Sequence, residues 1–177
     1  MTIHTEHPFL DPDADPVRRL RGRLGGAVTL WTSGGGDIGA ERAGLTVSSV
    51  MVSGGEPGRV LALVDPDCSL RDVLEETGRG VVHLLRWHDR ELAEVFAGQM
   101  PAPGGQFTTA EWEQTAFGPR LAAATTWVEV EVESFEPVGW SDLVVARIVG
   151  LEVGEDGVPL EHRRGRYLRP SDAEGPA

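Results

Sequence analysis

Apolar and polar positions alternate most strictly from Trp127 to Glu133, WVEVEVE. A period of two puts Val128, Val130 and Val132 on one face of a strand and the glutamates on the other. One dry and one wet face is usual in antiparallel sheets and barrels. Strands are also predicted at Ala27 to Thr32, Ala43 to Val52, Arg59 to Val64 and Val81 to Leu85. The run SGGEPG between the second and third of these reads as a hairpin connection. Leu143 to Val153 is more continuously apolar and is expected to be buried on both faces.

Helical signals are fewer and shorter. Asp15 can cap a first helix, Pro16 suits its first turn, and Val17, Leu20 and Leu24 fall on one face before Gly25 and Gly26. Ser69 is a candidate cap with Asp72 at the capping-box position, for a helix that runs to about Thr77 and stops at Gly78. Asp89 to Ala97 reads as a third helix stopped by Gly98. A long loop carries PAPGG and Phe107, with Trp112 in a short helical turn. No regular crossover helices separate the strands, which disfavours a doubly wound parallel sheet. The expected fold is mainly β with short helices, a closed or split antiparallel barrel. The domain is expected at 15–169, with tails at 1–14 and 170–177.

The 177 residues, 40% apolar and 25% charged, suit a single globular domain. The formal net charge is −12, which argues against a nucleic-acid partner. Every basic residue is arginine, so a Walker-type or Schiff-base lysine is excluded. No apolar run is long enough for a membrane span, and residues 1–16 are acidic without an apolar core, so no secretory signal is expected. Cys68 is the one cysteine, which rules out an internal disulfide and a Cys/Cys zinc site and favours the cytoplasm. It is read as a small packed side chain. Gly34, Gly36 and Gly39 satisfy G-x-G-x-x-G, but a strand-like segment follows them, so they read as a turn. The histidines show no metal spacing: His83 and His88 are separated by a turn, and His4 and His7 sit in a tail. No G-x-S-x-G elbow is present.

The segment GLTVSSVMVSGGEP, Gly44 to Pro57, is more informative. It resembles the G-x-T-x-S-S signature of the flavin reductase family. VRRLRGRLGGAVTLWTS is similar to that family's leading helix and first strand, and LLRWHDRELAEVFAG to its segment ending L-A-x-x-F-A-G. GPRLAAATTWVEVEV and the closing PLEHRRGRY (Pro159 to Tyr167) resemble two further blocks, in the family's order.

The resemblance implies an FMN-binding split β-barrel of antiparallel Greek-key type, with FAD as the alternative flavin. It implies a homodimer and NAD(P)H as co-substrate, with hydride carried by the cofactors and no protein nucleophile. A monooxygenase that receives the reduced flavin is a further expected partner. Thr46, Val47, Ser48 and Ser49 would line the flavin. Asp65, Cys68 and Ser69 would approach its phosphate and ring, with Arg71 as a charged partner. His162, Arg163 and Tyr167 would close on it from the far end of the chain.

Three positions depart from the family pattern. Ser141 stands where a histidine near the nicotinamide is common, and it reads as a turn residue. His83 replaces an asparagine and reads as a structural hydrogen-bonded histidine. Asp89 replaces a glutamine. A flavin-binding relative without nicotinamide activity, or one recruited to another cofactor, is the alternative reading.

Overall fold

The computed structural model describes residues 15–36 and 41–168. The expected tails, 1–14 and 170–177, and Gly39 lie outside these residues. The helices are α1 (Pro16–Leu24), α2 (Ser69–Thr77) and α3 (Arg90–Phe96). The strands are β1 (Gly26–Ala27), β2 (Thr29–Ser33), β3 (Ala43–Val47), β4 (Val50–Ser53), β5 (Arg59–Val64), β6 (Arg79–Leu84), β7 (Trp112–Thr115), β8 (Gly118–Leu121), β9 (Thr126–Val138), β10 (Ser141–Val153), β11 (Glu161–Arg163) and β12 (Arg166–Tyr167).

Seven strands form one antiparallel sheet in the order β3-β2-β6-β9-β10-β5-β4. Its two edge strands, β3 and β4, are consecutive in the chain, with only Ser48 and Ser49 between them. A flat sheet of this width would hold its edges about 29 Å apart, whereas this link spans at most about 10 Å. The sheet must therefore curl until its ends meet. The antiparallel split barrel expected from the sequence is what forms, with its seam at Ser48–Ser49. The Leu63 N–H donates to the Ser49 carbonyl across that corner, at 3.1 Å. The stretch Ala43 to Val52, expected as one strand, is thus two, because a single strand cannot lie at both edges.

The barrel interior is filled by Trp31, Val60, Ala62, Val64, Val82, Val130, Val144 and Ala146, and Leu70 and Leu74 of α2 plug one end. Each large apolar side chain so buried contributes about 2 kcal/mol. The polar atoms inside are paired. The Trp31 indole N–H donates to Thr29 Oγ1 at 3.1 Å, and that hydroxyl donates to the Val47 carbonyl at 2.7 Å. A second cluster, built on Val28, Leu30, Ala93, Phe96 and Leu121, covers the outer face of β2. His83 joins the two layers. Its Nδ1 lies 2.9 Å from the Leu30 carbonyl, and its Nε2 accepts the Leu121 N–H at 3.0 Å. An acceptor Nε2 fixes the proton on Nδ1. The expected structural role of His83 is the one it has.

Other expectations are corrected. Trp112 lies in β7, paired with Leu121 of β8, and not in a helical turn. Its ring packs on Phe96 and Phe107 at 5.7 and 5.0 Å, so tertiary packing overrides the local pattern. Strand β10 is not buried on both faces. Asp142, Val144 and Ala146 point inward, but pairing with β5 ends at Arg147, and Val149, Leu151 and Val153 beyond it are exposed. The residue at the cap position of α2 is Cys68, not Ser69, and no side chain caps the helix. The turn before it is built by Asp65, whose carboxylate accepts the Asp67 N–H at 2.9 Å. Helix α1 is capped by Asp15 as expected, but it buries nothing, and Val17, Leu20 and Leu24 are exposed.

Candidate functional site

A cavity of about 530 Å³ opens beside the barrel seam. Its floor is apolar. Leu61 and Leu63 of β5 and Leu143 of β10 have the opposite parity to the core residues Val60, Ala62, Val64 and Val144, so they face outward into it. One wall is the corner from Thr46 through Ser48 and Ser49 to Met51. The other comes from both ends of the described chain: Arg18, Arg21 and Leu24 of α1, and His162 and Gly165 of the β11–β12 hairpin.

These ends are held together by backbone bonds. Gly26 and Ala27 pair with His162 and Glu161, and the Arg164 N–H donates to the Gly22 carbonyl at 2.8 Å. On the other wall, the Thr46 hydroxyl donates to the Ala93 carbonyl at 2.7 Å, tying β3 to α3. The position of Thr46 is thereby fixed from behind.

Of the residues singled out in the sequence, Thr46, Val47, Ser48, Ser49, Asp65 and His162 line this one cavity. Cys68, Ser69 and Arg71 do not line it. Burial pushes the Cys68 thiol pKa up, which disfavours the thiolate. The Arg71 guanidinium is committed elsewhere. It donates to Asp142 at 3.0 Å and to Glu75, and it lies 4.7 Å from the Phe135 ring centre. Asp142 is buried, and a carboxylate there requires such a partner. Arg163 and Tyr167 flank His162 in the hairpin, and Ser141 starts β10 on the same face as Leu143 but outside the lining.

Burial, more than any other cause, lowers the His162 imidazole below its usual value; Glu94 opposes this and Arg21 adds to it. Burial, helped by the Glu94 charge, pushes the Tyr167 phenol up to about 12. At neutral pH this end of the site therefore offers neutral polar groups beside two guanidiniums.

The sequence reading missed Arg18, Arg21 and Leu24, because the apolar stripe of α1 looks like a core face. It also missed Leu61, Leu63 and Leu143, whose strand parity opposite the core residues was the available signal. The cavity volume lies within the usual range for organic ligands. An apolar floor for a flat ring system, a hydroxyl-bearing rim and cationic groups at one end together fit a phosphorylated flavin.

Comparison with known proteins agrees. The flavin reductase like domain matches residues 21–171. The FMN reductase (NADH) RutF of Cronobacter sakazakii is 28% identical over 140 residues, 78% of this chain and 82% of the relative. The reductase component of a 4-hydroxyphenylacetate 3-monooxygenase from Thermus thermophilus is 29% identical over 132 residues, 75% of this chain and 82% of the relative. The solved NADH:FAD oxidoreductase of Streptomyces globisporus C-1027 superposes with a TM-score of 0.75 at 22% identity, covering 86% of this chain and 85% of its own. Barrel, seam cavity and sequence match converge, and the chain belongs to the flavin reductase like domain family.

Proposed function

We propose that this chain is a flavin oxidoreductase that binds FMN in the seam cavity and reduces it with NADH. The observation that carries the reading is the cavity itself: residues of the Gly44–Pro57 motif line a ligand-sized space in a chain of this family. The chain's part is positioning. Leu61, Leu63 and Leu143 offer a dry surface for the ring system, and Thr46 and Val47 hold its edge against a wall backed by α3. When bound, the flavin supplies the hydride-accepting chemistry, so no protein acid, base or nucleophile is required. NADH is chosen over NADPH because relatives are named for it.

The test is anaerobic mixing of FMN-loaded protein with NADH. Loss of the flavin's visible absorbance at a rate proportional to protein is the expected result. A stable yellow complex that NADH does not bleach would select the second reading, a flavin binder without nicotinamide activity. Ser141 at the start of β10, where the family pattern commonly has a histidine, is the observation that favours that alternative.

The same reading includes a homodimer in the cytoplasm and delivery of reduced flavin to a monooxygenase. Next to the cavity, Met51, Val52 and Leu63 and the α1 residues Val17, Leu20 and Leu24 are all exposed. An apolar surface of this kind supports pairing with a second copy. Sedimentation is expected to give twice the chain mass, and a monomer at micromolar concentration would remove the dimer from the reading. The lone Cys68 supports a reducing compartment. Among the described residues no helix is long and apolar enough to cross a membrane. Reductase components of monooxygenases among the relatives support the partner.

A further inference from the structure

The positive charge of this acidic chain is unevenly placed. Helix α1 carries Arg18, Arg19, Arg21 and Arg23, and the β11–β12 hairpin carries Arg163, Arg164 and Arg166, with Asp15 and Glu161 the acidic residues of these two segments. The two segments pack together at the cavity wall. Elsewhere arginine is usually committed: Arg59, Arg71, Arg86, Arg90, Arg120 and Arg147 all have carboxylate partners. Arg18 and Arg21 have none among the described residues, and both line the cavity. They are three apart on a helix, which puts them on one face with Cβ atoms about 5–6 Å apart. Two guanidiniums at that spacing can converge on one phosphate group.

We propose that Arg18 and Arg21 grip the phosphate of the bound flavin and make the site selective for phosphorylated flavins over riboflavin. The proposal rests on the flavin reading above and replaces the N-terminus of α2 as the phosphate subsite. That N-terminus carries Asp72 in its first turn, lacks a capping side chain and does not line the cavity. The apolar floor of Leu61, Leu63 and Leu143 takes the ring, and the arginine pair supplies charge from the α1 wall. Because α1 buries no side chain, neutralising its arginines should leave the barrel folded.

The test is fluorescence titration of the full chain with FMN and with riboflavin, at low and raised salt. Wild type is expected to bind FMN at least about tenfold more tightly than riboflavin, as two charge-assisted contacts imply. The gap should narrow with salt. Arg18→Gln/Arg21→Gln should lose about tenfold or more in FMN affinity and keep its riboflavin affinity. Arg19→Gln/Arg23→Gln, on the same helix but off the cavity, should keep both. Equal affinities for FMN and riboflavin in wild type would overturn this proposal while leaving the flavin reading intact. So would a loss of FMN affinity matched by the control pair. An unchanged FMN affinity with a raised KM for NADH would assign the arginines to the nicotinamide nucleotide and overturn it too. Failure of wild type to bind either flavin would bring down the underlying reading as well.

Discussion

His83→Asn will flatten the acid side of the stability profile. The wild-type imidazole is wholly buried, and burial, opposed by its bond to Leu30 and assisted by Arg120, pulls its pKa down from 6.5 to about 4. Protonation would set an Nε2–H against the Leu121 N–H that now donates to it. The sign follows from linkage. Below pH 6.5 the unfolded chain takes up a proton that the folded chain refuses until about pH 4, so acid favours unfolding through that window. Stability from this group is complete above pH 6.5, falls between 6.5 and about 4, and is then level. The total is about 3 kcal/mol. Guanidinium unfolding at pH 7.5 and pH 4.5, conditions on either side of most of this window, measures it. The wild type should lose about 2 kcal/mol more than the asparagine variant on acidification. Equal losses would show that His83 is not the group responsible. His83→Leu should cost about 1–3 kcal/mol even at neutral pH, since it orphans the Leu121 N–H, while the Leu30 carbonyl keeps its main-chain partner across the β2–β6 ladder.

Gly44→Ala is expected to lower the melting temperature and weaken flavin binding together. A Cβ at Gly44 would sit 2.5 Å from Cε1 and 2.7 Å from Cδ1 of Phe96. That ring cannot swing aside, because it is buried edge-on against Phe107 at 5.2 Å and Trp112 at 5.7 Å. The strain must pass to the backbone and lift β3 away from α3. That would stretch the bond from Thr46 to Ala93 and move the cavity wall that contains Thr46 and Val47. Overpacking of this kind costs about 2 kcal/mol, or about 4–8 °C in a chain of this size. Calorimetry and FMN titration read the two effects. Adding Phe96→Leu should restore part of each, because a branched aliphatic side chain can clear the new methyl group. An alanine variant that melts with the wild type would refute the close contact.

Much of the architecture was visible in the chain because it depends on local pattern. The strict alternation around Val130 made an antiparallel wall legible, and the short helices at Ser69 and Asp89 follow from residues near their own ends. What stayed hidden depends on distant partners. Nothing in AGLTVSSVMV says that it divides between opposite edges of one sheet; the break at Ser48 exists because β2 takes one half and β5 the other. Trp112 was misread because Leu121 and Phe96, not its neighbours, decide its conformation. Within the site, the motif residues Thr46 to Ser49 and Asp65 were legible and fell on one cavity. The facing wall was half legible, through His162. Arg18 and Arg21 come to it only because Gly26 pairs with a residue far along the chain, and no sequence period encodes that meeting.

The placement of the cavity on the outward side of β5 and β10 separates loading from breathing. A guest can arrive or depart without any strand unzipping and without wetting Trp31 or Val130. Exchange is then limited by contacts at the rim and not by the cohesion of the core. Departure of the guest then costs the fold only the binding free energy that the guest had added, and leaves the packing of the barrel interior as it was.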